Sequence, residues 1–218
     1  MRALFYSIKG GQGKTTHAVS YAKHARLRLV TNDHQNGTLE IYGGVFPPGH
    51  LTAVRPEDSF DPLRHPDTVF DFAGYLDGRV IAAARASDVC VVPVCFQSTA
   101  DMVPAISTVR ALLKLNPNVT VVINNTERDV IPLVREILGE QFPDLPVFVV
   151  NKSRYVWRLA DEGRTLLELV TLGGLYEHTL RKMIPQVEAL YRHLDRFRYR
   201  AEVDRTAFEP IRLFGGLR

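Results

Sequence analysis

Short apolar runs alternate along this chain with stretches whose apolar residues return every three or four positions. Ala3-Leu4-Phe5-Tyr6-Ser7-Ile8 predicts a buried strand, and Ala18, Val19, Ala22 and Ala25 predict the helix behind it. Leu27–Thr31 predicts a second strand, Thr68–Gly74 a third, 86–94 a fourth, 118–124 a fifth and 146–150 a sixth. Helical spacing fills 76–86, 100–115 and 129–140, and again 175–197, where Pro185 is expected to interrupt it. In 100–115, Met102, Ile106, Val109, Leu112 and Leu113 share one face, which reads as core packing with no assigned function. The order of elements predicts an α/β fold, a mostly parallel sheet with helices on both faces. Residues 41–66 break the pattern with five prolines and three glycines, too many for a continuous helix or central strand. That excursion reads either as a switch or partner surface or as a surface loop with a short edge strand.

Length and composition narrow the class. The 218 residues suffice for one sizeable core and are short for two, so one domain spanning 1–218 is expected. With 45% hydrophobic and 23% charged residues the composition is that of an ordinary globular chain. Nothing at the start resembles a signal peptide and no apolar run nears the ~20 residues that span a bilayer, so a cytoplasmic protein is expected. Cys90 and Cys95 flank an apolar run and read as small core residues, their spacing matching no zinc pattern. The net charge of +3 is uneven: 181–218 carries nine Lys/Arg against five Asp/Glu, so this basic tail holds +4 and the remainder −1.

Candidate chemistry begins between the first strand and the first helix, at Ile8-Lys9-Gly10-Gly11-Gln12-Gly13-Lys14-Thr15-Thr16. Glycines at 10, 11 and 13 allow a tight turn whose N–H groups face an anion at a helix N-terminus. Lys14 then reaches the outer phosphates and Thr15 offers a hydroxyl to Mg²⁺. Asp33 ends the second strand, where ligands bind in an open α/β sheet, and reads as a water-positioning acid or as a turn cap. Asp71 ends the third apolar run three residues before Gly74, suiting a metal-balancing acid and a γ-phosphate sensor, or again a turn cap. Asn124 and Asn125 close the fifth strand, where a side-chain amide can meet a base edge or make a turn. Asn151-Lys152-Ser153-Arg154 mimics a guanine-reading tetrad, but Arg154 cannot accept a hydrogen bond where guanine offers donors, which favours adenine or no base contact. Arg192, Arg196, Arg198 and Arg200, interleaved with Tyr191, Phe197 and Tyr199, suit either phosphate contact or a solvated helix face.

The string Lys9-Gly10-Gly11-Gln12-Gly13-Lys14-Thr15-Thr16 resembles the deviant Walker motif of the ParA/MinD ATPases, and the likeness runs in order from about residue 3 to 170. Asp33-His34-Gln35 resembles the second half of that family's acid-rich string, with Thr31 in place of its first acid, and Ala86–Val94 resembles its following strand. The resemblance implies a P-loop NTPase fold of the SIMIBI kind, with ATP and Mg²⁺ as cofactors. It implies that Gly10 to Thr16 and Gly74 hold nucleotide, that Thr15 and Asp71 hold the metal, that Asp33 orients the attacking water, and that an asparagine near 124 or 125 contacts adenine. It further implies an ATP-dependent homodimer in which Lys9 reaches the partner's nucleotide, non-specific DNA binding on the nucleoid, and hydrolysis stimulated by a DNA-bound adaptor (centromere-binding) protein. ParA-like DNA segregation, as in plasmid partition, is the expected role. Two alternatives stay open: a MinD-like membrane-associated positioning ATPase, for which Ile211–Arg218 would be the tail, and a nucleotide-binding scaffold or conjugation accessory protein with weak hydrolysis. Pro210, Gly215 and Gly216 limit any helix in that tail to about two turns, so membrane contact is not expected.

Overall fold

The computed structural model describes all residues except 34–36, 75, 154–155, 157–158, 160–161, 171–172 and 208–218, and all of their side chains except 170, 175–176, 179 and 200–207. Elements follow in the order β1 (Arg2–Ser7), α1 (Lys14–His24), β2 (Arg28–Thr31), α2 (Thr38–Tyr42), β3 (Leu51–Ala53), β4 (Thr68–Ala73), α3 (Gly78–Ala86) and β5 (Val89–Val94). After these come α4 (Met102–Leu113), β6 (Val119–Asn124), α5 (Ile131–Gln141), β7 (Val147–Val150), α6 (Leu166–Val170), α7 (Gly174–Leu180) and α8 (Ile184–Ala207). The strands form one seven-stranded sheet in the order β3-β2-β4-β1-β5-β6-β7, and each pairing is parallel. The expected mostly parallel α/β sheet is therefore the fold observed.

Alternation within the strands explains the two layers. Ala3, Phe5, Leu29, Val69, Val91 and Val122 point into a core shared with α1 and α8, while Leu4, Tyr6, Val30, Phe70, Val92 and Ile123 point into one shared with α3, α4 and α5. Both faces are covered, so most successive strand residues are apolar, the reason these strands read as near-continuous runs. The chain leaves β1 toward β2 on one side and later returns to β5 on the other. The β1 C-terminal end is consequently the point where the winding reverses, the usual ligand crevice of such sheets.

Of the two readings of 41–66, the loop with a short edge strand is the one that matches, whereas the expectation for Pro185 changes. Residues 41–66 hold an edge strand, β3, paired with β2, and Phe60 of the same excursion packs edge-on against Phe70 and Phe72 at ring distances of 5.7 and 5.4 Å. Pro185 does not interrupt a helix. It lies in the first turn of α8, where a missing N–H leaves no intrahelical bond unmade, and Leu180 belongs to α7. Among the described residues no helix is long and apolar enough to cross a membrane. Both cysteines are free and buried, as core residues would be.

His17, on the inner face of α1, is 1% exposed, and neither ring nitrogen has a hydrogen-bond partner. Burial lowers its pKa to about 4, so the ring is neutral in the folded state, with the neighbouring Asn124 amide pulling weakly the other way. An acid-side penalty follows: stability is full above about pH 6.5, the ordinary histidine value, and declines as the pH falls toward about 4, by roughly 3 kcal/mol in all. Urea titrations should show His17→Leu to be at least as stable as the parent at pH 7 and clearly more stable at pH 4. An unchanged pH profile would place the acid sensitivity elsewhere.

Candidate active site

The loop between β1 and α1 lies at the C-terminal end of the central strand. Gly13 caps α1 in the left-handed region at φ 80°, and Gly11 has φ 70°, conformations that a β-carbon opposes. Gly13 is constrained twice over, because a Cβ built there would overlap the Asn124 amide nitrogen. Thr15 and Thr16 occupy the first turn of α1, half-buried, with the helix dipole behind them. Lys14 is 7% exposed and its ammonium donates to the Lys9 carbonyl at 3.2 Å. Burial lowers the Lys14 pKa, while the charges of Asp71 and Asp33 oppose that shift.

Asp71 sits on β4 beside Phe5 of β1 and Thr31 of β2 in register. Its carboxylate is 2% exposed, and neither oxygen makes a hydrogen bond of good geometry. Burial raises its pKa to about 6, against the pull of the Thr15 hydroxyl and the Lys14 ammonium beside it. A buried, unsatisfied carboxylate next to a threonine hydroxyl is a poor arrangement for an empty protein and a suitable one for a hydrated divalent cation. Asp33 lies nearby at the end of β2. Its backbone N–H donates to Thr31 Oγ1 at 3.0 Å, and its carboxylate accepts from the Thr38 hydroxyl at 3.2 Å. Thr31 thus shapes the turn that presents Asp33. Neighbouring residues 34–36, including His34 and Gln35, lie outside the described set.

Gly74 follows β4 at φ 87° and its carbonyl accepts from the Tyr6 hydroxyl at 2.9 Å. Asn32 bonds the preceding residue on both sides, accepting from Ala73 N at 2.8 Å and donating to Ala73 O at 2.9 Å. The turns carrying Asp33 and Gly74 are joined by this one side chain. Lys9 is ion-paired with Asp101, whose other oxygen accepts from the N–H groups of Gln97 and Ser98 at 2.8 and 3.1 Å. The Lys9 ammonium, followed by these amides, holds the Asp101 carboxyl below the usual range. The pattern assigned no role to 100–115, so Asp101 was missed; its local signal was Ser98-x-x-Asp101, a capping box now formed at the start of α4.

A cavity of about 330 Å³ opens beside the loop, lined by Gly11, Gly13 and Thr16 on one side and by Asn124, Asn125, Asn151, Lys152 and Ser153 on the other. Asn124, Asn125 and Asn151 bring side-chain amides to this lining, beside apolar surface that includes Val156. Asn124 donates to the Gln12 carbonyl at 3.1 Å, and Asn125, at φ 49°, donates to Cys95 Sγ at 3.7 Å. Asn151 N–H donates to Gln186 of α8 at 2.9 Å, and Lys152 pairs with Glu127 at 2.7 Å, while Arg154 lies outside the described residues. The C-terminal arginines do not converge on this cavity. Arg192 and Arg196 are exposed on α8, whereas Arg198 is half-buried and donates to the Ala25 carbonyl at the end of α1, at 3.1 Å. That contact caps a helix C-terminus, a structural use of one of the four arginines expected to meet DNA. The Arg200 side chain and Ile211–Arg218 lie outside the described set.

Among the described residues no cluster of three or more His, Cys, Asp or Glu is placed to hold a metal ion. No protein-family model matches the sequence, and no curated protein matches it significantly. Solved structures do resemble it. An ATP complex of a variant of Cyanothece McdA superposes with a TM-score of 0.65 at 17% identity, over 90% of this chain and 96% of that one. The septum site-determining protein MinD from Pyrococcus horikoshii OT3, complexed with Mg-ADP, gives 0.62 at 16% identity, over 89% and 96%. A ParA family ATPase from Chlorobium tepidum TLS gives 0.55 at 12% identity, over 88% and 98%. With the glycine loop at the reversal point of a seven-stranded parallel sheet, the chain has the P-loop fold of the ParA/MinD-type ATPases.

Proposed function

We propose that this chain is a Mg²⁺-dependent ATPase of the ParA type that forms an ATP-bound dimer and segregates DNA. The observation that carries the nucleotide part is the buried Asp71 carboxylate, without a hydrogen bond of good geometry, beside Lys14 and Thr15 and next to a glycine loop with left-handed turns at Gly11 and Gly13. Residues Gly10 to Thr16 would cradle the phosphates, with Lys14 balancing their charge and Thr15 and Asp71 holding the metal. Bound Mg²⁺ would neutralise charge on the phosphate oxygens. Asp33 orients the attacking water, its carboxylate kept in place by the Thr38 hydroxyl. Gly74, tied through Tyr6 and Ala73 to the same crevice, senses the outer phosphate. The built turn around Asp33 favours hydrolysis over an inert nucleotide scaffold. The neighbouring folds that contain ATP and Mg-ADP support the cofactor assignment.

Lys9 is the residue that makes a dimer part of the proposal. To act on a partner's nucleotide it must leave Asp101, so the intramolecular pair and the intermolecular role compete. A cation delivered across the interface stabilises charge on the transferring phosphoryl group. For DNA, Arg192 and Arg196 remain exposed on α8, while Arg198 is already engaged. Cargo choice would fall to a DNA-bound adaptor, since among the described residues no element presents a base-reading helix.

Three outcomes test these parts. Because Asp71 is harder to ionise when folded, the unfolded chain loses its proton first; the carboxylate therefore costs stability as the pH rises from about 4 to about 6, and the full cost remains above that. Asp71→Asn should stabilise the nucleotide-free protein at pH 7 by roughly 3 kcal/mol in urea titrations while weakening Mg-ATP binding by calorimetry; a destabilised variant with intact binding would contradict the metal role. Lys9→Ala should bind ATP but remain monomeric by light scattering and lose at least about tenfold of partner-stimulated phosphate release. Arg192→Glu with Arg196→Glu should weaken duplex binding and flatten its dependence on salt by about 0.9 in log–log slope for each phosphate that is no longer neutralised; identical salt curves would remove α8 from DNA binding.

A further inference from the structure

Gln12 occupies the variable position of the glycine loop, yet its side chain turns inward and is 4% exposed. Gln12 Oε1 accepts from the Cys95 N–H at 2.7 Å, just beyond the end of β5. The Gln12 carbonyl accepts from Asn124 Nδ2 at 3.1 Å, at the end of β6. One loop residue is thus held through its side chain by β5 and through its backbone by β6. Asn124 also occupies the space that a Gly13 side chain would need, so amide and glycine fit each other closely.

We propose that Asn124 is a positioning residue of the phosphate loop, not a reader of the base, and that Gln12 is its counterpart. An anion-binding loop works only if its N–H groups face the ligand and its carbonyls face away, since a carbonyl turned inward repels phosphate. Asn124 satisfies the Gln12 carbonyl from the β6 side and so holds that peptide in one orientation before any ligand arrives. Gln12 holds the same residue from below, where the Cys95 N–H would otherwise be buried without an acceptor. Ordering a loop in advance removes a cost that binding would otherwise carry. The Gln12 carbonyl takes one of the two Nδ2 hydrogens, and the same Asn124 amide lies against the buried His17 ring, so the side chain is held from two directions.

This inference rests on the nucleotide reading above, and a base-free probe separates the two. Binding of Mg-ATP and of Mg-tripolyphosphate would be measured by calorimetry for the parent, Asn124→Leu, Gln12→Met and the double variant, with circular dichroism to establish folding. A brace predicts that each single variant weakens both probes by the same factor, about tenfold for removal of a buried hydrogen bond, and that the double variant loses less than the product of the singles. Loss of ATP affinity alone in Asn124→Leu would overturn the proposal in favour of base reading, as would unchanged affinity for both probes. If Asn124→Leu fails to fold, Gln12→Met decides by the same criterion. A parent chain that binds tripolyphosphate but not ATP, or neither, would overturn the nucleotide reading itself and the brace with it.

Discussion

A lysine ammonium and an aspartate carboxylate, both nearly removed from water, are coupled electrostatically at the end of the central strands without a hydrogen bond between them. Burial pushes the Lys14 pKa down and the Asp71 pKa up, each partly opposed by the other's charge. Taking two ions out of water costs several kcal/mol apiece, and mutual attraction offsets this only when the remaining hydrogen-bonding capacity is filled. Here it is not filled: Lys14 donates to a single carbonyl, and Asp71 makes no hydrogen bond of good geometry. The sheet therefore keeps at its centre a charge arrangement that phosphate oxygens and a divalent cation would complete.

The surrounding structure supplies what this arrangement requires. Covered on both faces, the sheet provides rigid strand ends on which Asp33, Asp71 and Asn124 are held at fixed places. Short polar ties then join the turns: Asn32 to Ala73, Tyr6 to Gly74, Thr38 to Asp33, Gln12 to Cys95. Individually such bonds contribute about 1 kcal/mol. Together they tie the turn after β2 to that after β4, and the glycine loop to the end of β5. Lys9 is the exception, since its partner Asp101 comes from the start of α4 and its side chain is still partly exposed. Of the groups in the loop it is the one with room to move.

Much of the fold was legible along the chain because its rules are local. Strand runs, helical spacing and the glycine loop each depend on neighbours within a few residues, so the alternation of strand and helix, and hence a parallel sheet, could be read directly. The strand β3 was legible only as one of two readings of 41–66, because just three residues pair there, and pairing is a property of β2 as much as of β3. Pro185 was misplaced for a related reason: whether a proline breaks or begins a helix depends on where the preceding turn ends. Asp101 passed as part of a core helix, although its capping pattern was present, because nothing in sequence joins it to Lys9, 92 residues away.

The sequence alone determined the parts whose chemistry is carried by contiguous residues: a phosphate loop of the deviant kind and acids at strand ends. These need only residue type and spacing, which covalent connectivity supplies. Only the tertiary structure decided how those groups are used. It buried Asp71 without a hydrogen bond of good geometry, set Lys9 against Asp101, turned Arg198 to the end of α1 and gave Asn124 to the Gln12 carbonyl. Each of those outcomes depends on burial and on atoms distant in the chain, and hydrogen-bonding capacity is taken up by whatever lies within reach after packing.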